Sequence, residues 1–390
     1  SITLHPKLCS ATHARSPAMA PTALANMPDD QFTSGCLKTE ASHVVKKART
    51  CDPTNATAEM GARAHMHEYE SVANPVMAEV PVRLFPASKH QDGPTRIERF
   101  DVSDELKVDG PTTSPNLLAS YVRIVEGESI ATSACATSSV FFVIRGHGWS
   151  IIGDTKVEWK TGDLFATPND VSIVHHCTTA ELGGAALYWI SDEPLLRYLG
   201  CEPKGRRFEP IHYDAEIMRE KVEAIRHASG AEHKNRIGIL LSSPATPQTK
   251  TLTHTLWSLL NVLPCTKPQN VQRPHKHNSV ALDLCVYAKP GTCYTLMGRA
   301  IDEKGNIVDP VRCDWESGST FITPPGWWHS HVNDGDEDAW VLPIQDAGLL
   351  THQRVLDIRF VDDEVLRIKA GFNRGATLKR MQSIGTTLLG

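Results

Sequence analysis

The sequence predicts a mainly β protein built from two similar antiparallel β-barrels joined by a helix. From residue 77 onward, short runs rich in Val, Ile, Phe and Trp are cut by Gly, Pro and Asp, the texture of strands joined by hairpins. That texture occurs twice, and the two β blocks share one internal order: an apolar strand, a glycine-rich hairpin, a Gly-x5-Pro segment and a final strand. The Gly-x5-Pro segment begins at Gly162 and ends at Pro168 in the first block, and runs from Gly318 to Pro324 in the second. A unit of about 150 residues is too long for a solenoid repeat, and a duplicated barrel accounts for it.

Residues 1–76 form an N-terminal extension. Its first 28 residues hold no Asp or Glu and a single Arg, with Ala, Ser, Thr and Pro prominent, so a partly disordered segment is expected rather than a transit peptide. Residues 77–204 make the first barrel, with LLASYVRIVEG, SSVFFVIRGHGWSII and AALYWISDE as its clearest strands. Residues 205–235 link the barrels. There, Ile217, Val222 and Ile225 recur near helical spacing among charges, and Asp214 stands where a helix N-cap belongs. Residues 236–346 make the second barrel, and residues 347–390 a mixed tail, helical near its end.

Composition removes several classes of function. A formal net charge of -5 offers no basic footprint for nucleic acid. No apolar run reaches the roughly 18 residues a membrane span needs. Ten scattered cysteines without a CxxC pair suit reduced thiols and a cytoplasmic protein.

The chemistry is concentrated in the second block. QRPHKHNSV supplies His275 and His277, and an HxH pair on a strand puts both imidazoles on one face. Downstream, PPGWWHSHVND places His329 after a proline-glycine turn. Each half alone is weak evidence in a chain with 18 histidines; His65 and His67 form another HxH outside both β blocks and carry no role. Together the halves match the two-part metal signature of a cupin barrel. Three neutral imidazoles suit a borderline divalent transition metal and leave coordination positions open, the catalytic arrangement. The stretch after the HxH, Asn278 to Leu282, holds no glutamate to act as a fourth ligand.

On a regular strand His331 shares a side with His329, which suits an acid/base group beside the metal, though a rim or hydrogen-bonded core histidine has the same pattern. Trp327 and Trp328 are expected to point in opposite directions, one into the barrel shell and one as an apolar wall for a flat substrate. Trp257 and Arg273 are further candidates for the pocket, with packing or surface exposure as the plainer role. In the first block, Ser133, Ala134 and Cys135 stand where the HxH is expected and Ile173 matches His329, so that barrel is expected to be metal-free, with His175 and His176 as ordinary strand residues.

With RPHKHNSVAL and TPPGWWHSHVND in view, the chain resembles the bicupin ring-cleaving dioxygenases of the gentisate 1,2-dioxygenase type, over about residues 81–345. The resemblance implies a double cupin fold with Fe(II) held by His275, His277 and His329, and His331 as an outer histidine. It also marks two departures. The iron-binding barrel is the second rather than the first. Asp283 stands where that family has an arginine for the substrate carboxylate, so it is expected either to accept hydrogen bonds from phenol hydroxyls or to point outward. The expected activity is therefore O2-dependent cleavage of a phenolic or quinol ring, by a homo-oligomer. The alternatives are a cupin isomerase, decarboxylase or hydrolase using another metal, and a non-catalytic binding bicupin.

Overall fold

The computed structural model describes residues 53–168, 172–179, 183–363 and 365, and the chain falls into two units that divide between Asn74 and Pro75. The expected disordered stretch at residues 1–28 and the end of the tail lie outside the described residues. In the first unit a helix spans Pro53–Ala62 and a short one Tyr69–Val72. The Glu68 carboxylate caps the second by accepting from the N–H groups of Glu70 and Ser71. His65 and His67 lie between them, exposed.

The second unit holds two barrels, each a six-stranded sheet set with a smaller one, and every strand pairing is antiparallel. In the first barrel the large sheet runs, in spatial order, Ile211–Tyr213, Leu164–Pro168, Ser138–Arg145, Ala185–Ser191, Leu118–Ile124, Arg96–Arg99. Its small sheet runs Ser129–Thr132, Ile173–Cys177, His147–Ile152, Thr155–Lys160. In the second barrel the large sheet runs Leu84–Phe85, Thr320–Thr323, Ala281–Tyr287, Ala339–Gln345, Trp257–Leu263, Ile237–Leu241. The small one runs Val311–Asp314, Cys293–Gly298, Trp328–Asn333, His275–His277, Ile358–Phe360.

Side-chain alternation divides each large sheet between two cores. Leu282, Leu284, Ile322, Leu342 and Ile344 face Tyr121, Val140, Phe142, Tyr188 and Ile190 in one apolar core shared by the barrels. The opposite faces fill the barrel interiors: Phe141, Phe165, Leu187 and Trp189 in the first, Leu263, Cys285, Phe321 and Val341 in the second. Tyr121 ties the two barrels together, its hydroxyl lying 2.9 Å from the Gly318 carbonyl and 3.0 Å from that of Phe85.

Three elements depart from the sequence expectation. The connecting helix spans Ala215–Arg226 with Asp214 as its N-cap, but Ile217 is 54% exposed, and the buried stripe is Ala215, Met218 and Val222. The strand Leu84–Phe85 lies in the first block of sequence yet pairs with Thr320–Thr323 of the second barrel, Leu84 opposite Phe321. The tail returns as the strand Ile358–Phe360 and pairs beside the HxH strand, His275 opposite Phe360 and His277 opposite Ile358. Nothing in its short alternating run showed which edge it would join.

Candidate metal centre

The strand His275–His277 turns both histidines to the barrel interior and Lys276 to the outside, as period-two alternation requires. Its neighbour Trp328–Asn333 sets His329 directly opposite His275. Ring centroids lie 4.0 Å apart for His275 and His329 and 4.9 Å for His277 and His329. One nitrogen from each of the three rings falls within 4.8 Å of the others. Among the described residues this is the one such group of three or more His, Cys, Asp or Glu.

Hydrogen bonds decide which nitrogens are available. His277 Nδ1 lies 2.9 Å from the Ser279 carbonyl and His329 Nδ1 3.1 Å from the Trp327 carbonyl. A carbonyl only accepts, so both Nδ1 atoms carry the proton and both Nε2 atoms keep a lone pair. His275 differs: its buried Nδ1 has no partner, and its Nε2 faces the Arg236 guanidinium. Burial is the largest cause holding all three rings neutral. It takes His277 down to about 4 and His275 and His329 well below the usual histidine range, with their neighbours' charges adding to the effect for His275 and His329. Three buried neutral imidazoles that each keep a lone pair on Nε2, that of His275 facing Arg236, form a donor set of the kind a divalent transition metal takes. The donor set fits a metal.

Further polar groups accompany the three rings in this barrel. His331 shares their side of the strand, its centroid 5.7 Å from that of His329. Its Nδ1 lies 2.8 Å from Thr295 Oγ1, which in turn accepts from the Trp315 indole N–H at 2.8 Å. Asp283 points inward, on the same strand face as Cys285, and accepts a 2.6 Å hydrogen bond from Thr323. Burial raises its carboxyl to about 6, against the lowering effect of that hydrogen bond and of the Arg236 charge. Burial lowers Arg236 to about 10, which leaves it cationic at neutral pH. Gln272, whose N–H binds the His331 carbonyl, has both side-chain amide atoms buried without partners, and Asn261 Oδ1 is likewise unpaired.

The structure corrects two of the pocket candidates and relocates a third. Trp328 lies on the outer face of its strand, buried under Lys276, whose ammonium is 4.6 Å from the ring, so it forms no wall beside the histidines. Arg273 is exposed and paired with Asp362 at 2.7 Å. Trp327 sits in the turn, packed against the second-barrel core with the Arg299 guanidinium 5.1 Å above its ring. Trp257 begins its strand opposite Gln345 and is half-buried. The cation beside the triad is instead Arg236, just ahead of the strand Ile237–Leu241 and outside any motif.

The first barrel repeats this frame with the three histidines replaced. Thr132 is opposite Ile173 as His275 is opposite His329, so the register places Thr132 and Ala134, not Ser133 and Cys135, at the HxH positions. Phe141 replaces Asp283, since it pairs with Phe165 as Asp283 pairs with Phe321. That loss explains the unpartnered hydroxyl of Thr167, the counterpart of Thr323. Phe141 stacks instead on Phe165 and Trp189, at 5.0 Å and 5.8 Å. His175, expected to be an ordinary strand residue, holds the His331 position: it is opposite Ser150 as His331 is opposite Thr295.

Burial lowers His175 to about 3 and His90, packed between the barrels, to about 4. A histidine held neutral in the fold contributes stability above its unfolded pKa near 6.5 and loses it as pH falls toward the folded value. His175→Asn is therefore expected to be less stable at pH 7, with a shallower decline between about pH 6 and 4, by up to about 1.4 kcal/mol per pH unit. Urea midpoints measured across that range check it; parallel curves for the two proteins would refute it.

Fold and site together define a two-barrel cupin with a three-histidine centre in its second barrel. Solved structures of salicylate 1,2-dioxygenase from Pseudoaminobacter salicylatoxidans share this fold. One has a TM-score of 0.59 at 13% identity, over 78% of this chain and 97% of that one. Another, with gentisate, has a TM-score of 0.58 at 13% identity, over 81% and 96%. In sequence, the chain is 34% identical over 91 residues to 5-aminosalicylate 1,2-dioxygenase from a Comamonas species. That alignment spans 23% of each protein. No protein-family model matches the chain. The chain thus resembles the bicupin ring-cleaving dioxygenases across both barrels.

Proposed function

We propose that the protein is an Fe(II)-dependent dioxygenase that opens the ring of a hydroxylated aromatic acid, with His275, His277 and His329 as the metal ligands. The observation that carries the reading is the buried neutral triad, without a carboxylate ligand, facing a half-buried cation. Bound iron would orient substrate and O2 side by side and let charge pass from the electron-rich ring to oxygen.

The chain's own groups supply the rest. Arg236 offers its guanidinium to an anionic oxygen, a role that Asp283 at the expected arginine position argued against in the sequence. The substrate class proposed is accordingly an aromatic carboxylate with a ring hydroxyl, of the salicylate or gentisate type that the similar proteins are named for. Asp283 accepts a hydrogen bond from a ring hydroxyl or amine, and its raised pKa suits a group that takes up and returns a proton. Trp315, Phe321 and Cys285 keep the interior apolar and exclude water. The domain limits at residues 77–204 and 236–346, with the first barrel free of metal, are proposed on the same grounds.

The test is O2 uptake by the anaerobically iron-loaded protein with salicylate, gentisate, 5-aminosalicylate and neutral hydroquinones. Uptake with the acids, accompanied by loss of the aromatic absorbance, is expected. Uptake with hydroquinones alone would overturn the substrate class. Turnover of any kind without O2, or with Mn or Zn in place of iron, would favour isomerase or hydrolase chemistry.

A further inference from the structure

We infer that Thr295 and Trp315 are positioning residues that hold His331 with its proton on Nε2, so that it meets a ligand beside the triad as a hydrogen-bond donor and not as a base. For its consequence in catalysis this rests on the reading of the site as a dioxygenase centre; the tautomer itself does not.

The argument starts from the indole. A tryptophan N–H can only donate, so Thr295 Oγ1 is the acceptor in its 2.8 Å contact with Trp315. Thr295 is fully buried, and its own hydroxyl proton needs an acceptor. The partner at hand is His331 Nδ1, at 2.8 Å. If Nδ1 instead donated to Thr295, the hydroxyl would accept twice and its buried proton would bind nothing, a cost of about 1–3 kcal/mol. Nδ1 therefore carries the lone pair, and a neutral ring with a lone pair there is protonated at Nε2.

The first barrel is an independent copy of the device. Trp159 Nε1 donates to Ser150 Oγ at 2.8 Å, and Ser150 Oγ lies 2.7 Å from His175 Nδ1. Serine stands where the second barrel has threonine, so what the two copies share is the hydroxyl and not the methyl group. The far nitrogen shows where such a ring aims. His175 Nε2 is 2.9 Å from Thr132 Oγ1, and Thr132 occupies the position that His275 holds in the second barrel. The relay histidine thus turns its Nε2 toward the HxH strand. The first barrel keeps the relay without the three histidines, so the proton's place follows from the chain and not from a metal.

The consequence separates His331 from Asp283. A ring already protonated at Nε2 and blocked at Nδ1 donates a hydrogen bond to an oxygen that gains negative charge, and it does not take the substrate's proton. That task falls to Asp283.

The experiment is histidine side-chain nitrogen NMR on the full-length protein at neutral pH, first metal-free and then with Zn(II). His331 and His175 are identified by the signals missing from His331→Gln and His175→Gln. Both rings are expected to show the proton on Nε2. Thr295→Ser should preserve this, while Thr295→Val, which exchanges the hydroxyl for a methyl group of similar size, should move the His331 proton to Nδ1 or to a mixture and leave His175 unchanged. In the iron-loaded protein, Thr295→Val should lower turnover about 10–100-fold at equal iron content, and Thr295→Ser should restore most of it. A proton on Nδ1 in the native protein, or an unchanged Nε2 proton in Thr295→Val, would overturn the inference. If Thr295→Val does not fold, Thr295→Ala puts the same question by removing the hydroxyl, and an unchanged tautomer there overturns the inference as well. A protein that shows the tautomer but neither holds iron nor consumes O2 would leave the relay standing and remove the dioxygenase reading.

Discussion

Replacing His329 with alanine is expected to reduce bound metal from about one ion per chain to less than about a tenth, and to abolish O2 uptake with it. The geometry singles out this residue. His329 lies between the other two rings, 4.0 Å from His275 and 4.9 Å from His277, whereas those two are 6.1 Å apart. Its removal leaves two distant imidazoles, one of them facing Arg236. His331→Gln serves as the internal control, since a group outside the ligand set should keep its metal while losing turnover. A second measurement is independent of activity. Metal at a hundred times its Kd should stabilise the native protein by about 2.7 kcal/mol and leave His329→Ala unmoved. Equal metal content in native protein and His329→Ala, measured after anaerobic purification, would remove the triad as the site, and no metal in either would return the protein to the binding-bicupin reading.

The grouping of His275, His277 and His329 was legible because it depends on period-two alternation and one turn. HKH on any strand shares a face, and the Gly318-to-Pro324 segment sets how far along its own strand His329 falls. The same rule would have ruled out Trp328 as a pocket wall: it is adjacent to His329 on a regular strand and must face away. Treating Trp327 and Trp328 as an alternating pair failed because Trp327 still lies in the turn. Arg236 was not legible. It precedes a strand in another part of the sequence and reaches the triad only because Ile237–Leu241 closes the edge of the large sheet next to Trp257–Leu263. The strand Ile358–Phe360 was hidden for a similar reason, since three residues carry too little pattern to announce a partner. In the first barrel the replacement of the histidines was readable, but its register was off by one. A motif that has lost its histidines keeps nothing to count from, and only the pairing of Thr132 with Ile173 fixes the frame.

Arg236→Gln is expected to tighten metal binding by about tenfold or more while weakening the binding of aromatic carboxylates by a similar factor. The two effects share one cause. The guanidinium can only donate, and it stands at the His275 Nε2 lone pair that a metal would need. It remains cationic at neutral pH, because burial lowers its pKa only to about 10. A divalent ion a few ångströms from that charge is opposed by several kcal/mol even at an effective dielectric constant of about 20, less whatever the side chain recovers by swinging aside. An anion bound by Arg236 cancels the opposition and gives the guanidinium a reason to leave His275. Metal and aromatic acid should therefore each strengthen the binding of the other, by the same factor, as linkage requires. Titration of the metal-free protein with Zn(II), with and without salicylate, reads this directly. Salicylate should raise the metal affinity of the native protein and of Arg236→Lys, which keeps the charge, but not that of Arg236→Gln. Identical metal affinities for native protein and Arg236→Gln, with no response to salicylate in either, would mean that Arg236 neither competes for His275 nor binds the acid. The expectation for the substrate would then revert to the uncharged quinols that Asp283 alone can serve.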